Sequence, residues 1–428
     1  MKLTFIAFLF ITIFVVVVDL LGFWVWNREL EEPKSKKAKR FGLLLFAIVP
    51  LFEIISYFFL TQYIREASSP VFYLWFMAAN ALCLLIYLPK TFFLLYYLLF
   101  MLLSTITQVW KNKKYSKEQT TIKYPKISRK KFLSQVGIIL ATAPFVSLIF
   151  GMHKGRFNFF TRHQNLSFPN LPSIFDGFKI VHISDIHLGS FASNFDKLED
   201  IVDIINQEKA DVIFFTGDLV NNFKEETYGW DKVFTRLKAK YGKFSILGNH
   251  DYGDYTDWES PEAKEQNFNG IVNAHKDFGF KLLRDQSISI EIGGEEIAIT
   301  GVENWGHDPF PRYGDLQKAM KGTEEFPFKI LLSHDPDHWD AEVVDQTSFD
   351  LTLAGHTHGM QFGIDWKGFK WSPAKYKFKK WDGLYQHNNQ FMYVNRGLGF
   401  LGMPARIGMP PEITVLQLSK GPIGTEPM

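Results

Sequence analysis

The amino-acid sequence predicts two unlike parts: an N-terminal multi-span helical membrane segment, and an α/β domain in which strands alternate with covering helices. Three observations carry this reading. Hydropathy is concentrated at the N-terminal end of the 428 residues; beyond it, short apolar runs of strand length alternate with amphipathic stretches; and five of those runs lead directly into Asp, Asn or His. A content of 46% hydrophobic residues with 43 Phe points to membrane spans rather than an oversized core.

The membrane part is assigned to residues 1–150. Leu3–Trp26, Phe41–Tyr63, Val71–Leu88, Thr91–Trp110 and Phe132–Phe150 are each long enough to cross ~30 Å of hydrocarbon as helix, which makes about five spans. Pro89 and Lys90 are expected to break the third and fourth into a tight hairpin. The first span is long, lacks a small-residue cleavage site and is followed by others, so it reads as an anchor and not as a cleaved signal. Asp19, Glu53 and Asn80 are polar residues within these spans. With no other transport signature, they read as contacts between helices.

Orientation follows from the basic loops. One carries Arg28, Lys34, Lys36, Lys37, Lys39 and Arg40, and the other carries Lys111, Lys113, Lys114, Lys117, Lys123, Lys126, Arg129, Lys130 and Lys131. On a five-span count three spans separate them, so one must face outward. The second is assigned to the cytoplasm: it holds more charge, and SRKKFLS at Ser128–Ser134 resembles a twin-arginine export signal with one arginine replaced by lysine. The protein is then expected to be a multi-pass cell-membrane protein with its following domain extracytoplasmic.

Residues 151–173 read as a connector and 174–428 as the second domain. Asn194–Lys209 places Leu198, Ile201, Val202 and Ile205 on one helical face, as suits a helix covering a sheet. Lys179–Ile183, Val212–Thr216, Lys243–Leu247, Lys329–Leu332 and Asp350–Ala354 read as buried strands, with Ile288–Ile292 and Glu296–Thr300 as a strand pair.

The polar motifs sit at the C-terminal ends of the five strands. They are SDIHLG with Asp185 and His187, TGDLVN with Asp218 and Asn221, LGNHDY with Asn249 and His250, LLSHDP with His334, and AGHTHG with His356 and His358. Loops at strand ends can bring such distant residues to one rim. Carboxylate, imidazole and amide oxygen suit Mn, Fe or Zn, and the absence of thiolate argues against a structural zinc or iron-sulfur centre. For two ions to lie about 3.5 to 4 Å apart one carboxylate must bridge, and Asp218 is the candidate. Gly217, Gly248, Gly355 and Gly359 adjoin these residues where the backbone must turn sharply or approach closely. His182 and His275 fall outside the pattern and receive no role.

The ordered series D-x-H, GD, GNHD, H, GHTH resembles the calcineurin-like metallophosphoesterases, in particular their membrane-attached bacterial branch, from about Phe178 to the C-terminal region. The resemblance implies a two-sheet β-sandwich flanked by helices. It implies one ion held by Asp185, His187, Asp218 and His358, and another held by Asp218, Asn249, His334 and His356. His250 would act as acid or substrate binder, with Asp251 orienting it. Val394–Thr414 is similar to the end of these domains, and Met360 departs from the branch's second glycine after GHTH.

The expected function is hydrolysis of a phosphoester by water activated between two divalent ions. Placement beside a bilayer points to a phospholipid or nucleotide-lipid as substrate. The alternative is a metal-binding sensor or transporter accessory without turnover. A formal net charge of +2 offers no broad basic face, so nucleic acid is not an expected partner, and the single Cys83 lies inside a span. One local segment stands out: Trp366–Trp381 interleaves Lys367, Lys370, Lys375, Lys377, Lys379 and Lys380 with Phe369, Trp371, Tyr376 and Phe378. It reads as a solvated loop or as a lip facing the membrane or an anionic substrate.

Overall fold

The computed structural model describes residues 2–29, 36–63, 70–114, 129–192, 194–306 and 311–426. Lys34, Lys117, Lys123, Lys126 and Ser128 of the basic loops and export-like motif lie outside them. The chain divides into two compact units, Met1–Ile64 with Phe76–Phe150, and Arg65–Trp75 with Gly151–Met428.

The first unit is built from helices α1 (Lys2–Glu29), α2 (Lys36–Tyr63), α3 (Pro70–Lys114) and α4 (Arg129–His153). Among the described residues, Phe8–Val25, Tyr73–Thr107 and Gln135–Phe157 are long and apolar enough to cross a membrane, and Phe46–Ser56 forms a shorter apolar stretch. Side chains such as Phe10, Leu20, Leu95, Trp110 and Ile139 face outward, an exterior that suits hydrocarbon and not water.

The expected hairpin at Pro89 and Lys90 is absent, and α3 runs through both as one helix. Proline inside a membrane helix gives up one backbone bond, which neighbouring groups can offset. Lys90 is not at a turn because its charge has a partner: Nζ donates to Asp19 Oδ1 at 2.8 Å. Asp19 Oδ2 accepts from the Tyr87 hydroxyl at 2.7 Å, so Asp19 is a contact between helices, as expected. Glu53 differs: it is 1% exposed, and no described group bonds either carboxylate oxygen.

In the second unit the strands are β1 (Phe160–Phe168), β2 (Lys179–Ile183), β3 (Val212–Phe215), β4 (Lys243–Ser245), β5 (Lys281–Leu282), β6 (Gln286–Ile292), β7 (Glu295–Gly301), β8 (Lys329–Leu332), β9 (Leu351–Ala354), β10 (Ile364–Trp366), β11 (Phe369–Trp371), β12 (Gly383–His387), β13 (Gln390–Val394), β14 (Glu412–Lys420) and β15 (Gly424–Glu426). One sheet has the order β15-β1-β14-β2-β3-β4-β5, the other β12-β13-β9-β8-β7-β6, and β10-β11 stands as a separate pair. Within the first sheet β2, β3 and β4 are parallel, and within the second β7, β8 and β9 are parallel. Both sheets feed one apolar core, where Phe168 of the first meets Phe328 beside β8 and Phe391 of the second with ring centres 4.8 and 5.4 Å apart.

Helices α5 (Leu188–Phe191), α6 (Phe195–Gln207), α7 (Asp231–Phe234), α8 (Pro261–Asp277) and α9 (Leu316–Ala319) lie between strands. The predicted face of α6 is buried at Leu198, Ile201, Val202 and Ile205, each such side chain contributing about 1.5 to 3 kcal/mol. The segment expected to connect the two parts instead holds β1, paired residue for residue with β14 from Phe160↔Glu412 to Phe168↔Lys420. Its Thr, Arg, His, Gln and Asn hide the strand from hydropathy. Arg162 shows why they are there, reaching Asp382 at 3.2 Å.

Candidate metal centre

The parallel strands of both sheets end on one rim, and the motif loops leave from it. β2 delivers Asp185 and His187, β3 delivers Asp218, β4 delivers Asn249 and His250, β8 delivers His334, and β9 delivers His356 and His358. These loops are held by backbone pairing: Asp185 N donates to Gly217 O at 2.9 Å, and Gly355 N to His334 O at 3.0 Å. Gly248 must lack a side chain, because a Cβ there would collide with Asp218 Oδ1.

Two groups of ligand atoms result. Asp185, His187 and His358 offer one set and Asp218, His334 and His356 another, with the atoms of each set within 4.8 Å of one another. Asn249 joins the second set through Oδ1, 3.0 Å from His334 Nε2. Asp218 stands between them, with Oδ2 3.3 Å from His334 Nε2 and 3.6 Å from His187 Nε2, while Oδ1 accepts from the His250 amide at 2.9 Å. The donor set of carboxylate, imidazole and amide oxygen fits divalent ions of borderline hardness.

The backbone is strained where these ligands sit. Asp185, His187, Asp218, His356 and His358 all have φ between 49° and 73°, a left-handed conformation that costs a non-glycine residue about 1 to 3 kcal/mol. Met360 shares it at φ 48°, so the loop keeps a glycine-like path at the position where the second glycine was expected.

Burial sets the protonation of the imidazoles. It pushes His187 down to about 3 and His356 to about 4, and it depresses His358 well below the ordinary histidine value, so that all three rings are neutral without an ion. His334 is the exception. Burial opposes its charge, but the Asp218 carboxylate, a hydrogen bond to it and the charge of Asp185 hold it at about 10.

His250 and Asp251 depart from the expected pairing. His250 Nδ1 bonds to the carbonyl oxygen of Asn221 at 2.7 Å, and since a carbonyl only accepts, Nδ1 carries the proton and Nε2 remains for chemistry. Its ring stacks on Tyr255, with centres 4.2 Å apart and planes at 10°. Asp251 instead accepts from the amides of Gly248, Asp218, Leu219 and Val220 at 2.8 to 3.3 Å, and braces the Asp218 loop. Burial and the Asp218 charge push it up to about 7, against the pull of those amides.

Three further residues had no distinct signal in the sequence. Tyr255 accepts from Asn249 Nδ2 at 2.6 Å. Glu226 takes the amides of Gly189, Asn221, Asn222 and Phe223 at 2.7 to 3.0 Å. Arg406, in the singled-out Val394–Thr414 stretch, is buried with Nη2 3.1 Å from His358 Nδ1, and donates to the carbonyls of Gly399 and Arg396 at 2.8 Å. The same stretch closes against the first ligand loop, with Leu398 N to Ser184 O at 2.9 Å and Gly399 N to Asp185 O at 2.8 Å. By contrast, His182 and His275 are buried core histidines bonded to Thr216 and Ser245 hydroxyls at 2.9 Å.

Comparison with known proteins gives the family. Residues 178–360 match a family profile described as calcineurin-like phosphoesterase, and residues 3–156 match one described as the transmembrane domain of probable calcineurin-like phosphoesterases. An uncharacterized metallophosphoesterase, YkuE of Bacillus subtilis, is 33% identical over 254 residues, covering 58% of this chain and 81% of YkuE. A transmembrane protein with metallophosphoesterase domain from Danio rerio is 29% identical over 258 residues, covering 58% of this chain and 55% of that one. Among solved structures, a dimetal phosphatase from Danio rerio aligns at 12% identity and a TM-score of 0.30, covering 52% of this chain and 88% of its own.

Proposed function

The chain belongs to the calcineurin-like metallophosphoesterases and is a membrane protein that hydrolyses phosphoric esters, and from this premise we infer that its centre works with two divalent ions. Asp185, His187, Asp218 and His358 would hold one, and Asp218, Asn249, His334 and His356 the other. The observation that carries this is the single oxygen of Asp218 facing histidines of both groups. When bound, such ions supply an activated water and positive charge opposite the phosphoryl oxygens.

The chain's own residues do the rest. Tyr255 turns the Asn249 amide so that its oxygen faces His334. His250, depressed by burial, is neutral at rest, and the negative charge of a bound ester favours its protonated form beside the leaving oxygen. Arg406 and Asp251 fix the loops behind the ligands.

The hydrolase domain is taken to begin with β1, ahead of residue 174, and to lie outside the cytoplasm. The continuity of α3 supports this: two helices, not three, separate the basic loops, so if each helix crosses once both loops share the cytoplasmic side. The anchor also favours a lipid-linked or nucleotide-lipid ester as substrate.

The test is metal content and turnover on one sample. Purified full-length protein should carry two ions per chain and hydrolyse nitrophenyl phosphate mono- or diesters, and Asp218→Asn should lose stoichiometry and turnover together. An Asp218→Asn protein with two ions and normal turnover would overturn the shared-ligand assignment.

A further inference from the structure

Between the last ligand histidine and β12 the chain makes an excursion that neither sheet uses. Among the described residues β10 and β11 pair only with each other, and a lone two-stranded hairpin gains little stability in water. It nevertheless exposes large rings: Trp366 is 66%, Phe369 59% and Tyr376 75% exposed. A soluble surface avoids such a group of exposed aromatics. Lys367 and Lys375 lie beside these rings, with Nζ 4.9 Å from the Trp366 centre and 5.0 Å from the Tyr376 centre, and Lys377 and Lys379 are exposed close by. Indole and phenol rings interleaved with lysine match the headgroup layer, where the rings find a half-polar medium and the ammonium groups meet lipid phosphate.

The base of the excursion is firmly held. Asp365 pairs with the buried Arg396, Lys370 pairs with Asp382, and Ser372 Oγ donates to Gly359 O at 2.6 Å. Gly363 N donates to Ile407 O at 2.9 Å, and Ile407 in turn packs on Gly151, where a Cβ would sit 2.6 Å from Ile407 Cγ1. A rigid stem therefore presents a cationic aromatic tip.

We propose that the β10–β11 hairpin, with Tyr376, docks on the surface of an anionic bilayer. The rings enter the headgroup layer and the lysines neutralise lipid phosphates. The excursion also touches the metal centre: the Phe378 ring meets His356 with centres 5.4 Å apart, and Thr357 Oγ1 donates to Trp381 O at 2.6 Å. On the phosphoesterase reading, which this last step rests on, the docked hairpin brings headgroup phosphoesters to the edge of the centre, so substrate is drawn from the membrane surface.

The experiment uses the full chain with Cys83→Ser and Trp366→Cys, labelled at the new thiol with NBD and placed in nanodiscs. Discs of phosphatidylcholine are compared with discs that also contain phosphatidylglycerol. The label should shift to the blue and be quenched by doxyl-lipid in the anionic discs, whereas a label at Tyr228→Cys should stay aqueous in both. Replacing Lys367, Lys375, Lys377 and Lys379 by Gln should remove the dependence on phosphatidylglycerol. Equal quenching of both labels by aqueous iodide in anionic discs would overturn the proposal. So would a blue shift produced in detergent by a single-stranded oligonucleotide and not by phosphatidylglycerol. Hydrolysis of a soluble nitrophenyl ester by the same discs is scored separately: its absence counts against the phosphoesterase reading, while the fluorescence alone decides docking.

Discussion

Asn249 and Tyr255 are joined by a 2.6 Å hydrogen bond in which the amide nitrogen donates to the phenol oxygen. That bond decides which end of the amide faces the metal centre. Tyr255→Phe keeps the stack on His250 but frees the amide, so ion affinity should fall roughly 10- to 100-fold with kcat at saturating metal little changed. Metal titration of hydrolysis checks this, and an unaltered titration curve removes Tyr255 from the ligand support.

His250→Asn should leave bound metal intact and lower kcat by about 10² to 10⁴. If the residue gives a proton to the leaving oxygen, the loss should be greater for an alkyl ester than for an activated nitrophenyl ester. Equal losses point to charge stabilisation instead, and unchanged kcat on both esters excludes any part in the reaction.

His334 sets the pH dependence of ion binding. Its pKa is raised to about 10, so without an ion it keeps its proton at neutral pH, and ligation must displace that proton. Affinity should therefore rise with pH, by roughly tenfold per unit, and level off above about 10. Calorimetry in buffers of different ionisation enthalpy should detect the released proton at pH 8. A pH-independent affinity between 7 and 9 would contradict it.

A reporter fused after Met428 should behave as extracytoplasmic and one inserted near Lys117 as cytoplasmic. The inverse pattern would place the hydrolase inside the cell and remove the export-like reading of Ser128–Ser134.

Much of the placement of these residues was legible in the sequence, because each motif follows a short apolar run that reads as a buried strand. Lys179–Ile183 and Lys329–Leu332 match their strands end for end, and α6 buries the four residues its spacing picked out. What stayed hidden was held by polar chemistry. β1 reads as linker because polar residues interrupt its apolar pattern, one of them, Arg162, serving a buried charge network, and Lys90 reads as a turn because its partner Asp19 is 71 positions away. The role given to Asp251 failed for a similar reason. Adjacency in sequence put it beside His250, whereas the short helical turn at Asn249–Tyr252 aims it at three amides of the Asp218 loop and at that of Gly248 in its own.

Those amides matter beyond local geometry. The ligand loops are clamped by Asp251 and Glu226, two buried carboxylates that between them engage backbone from Gly189 to Gly248 and do not belong to either ligand group. Bracing by the chain itself lessens the dependence of these loops on cations, in contrast with small domains that collapse when chelated. Ions could then leave and be exchanged while the loops keep their strained left-handed path. Under that arrangement, the identity of the bound metals would follow the supply of the compartment, the Irving–Williams order and the geometry that the braced loops impose.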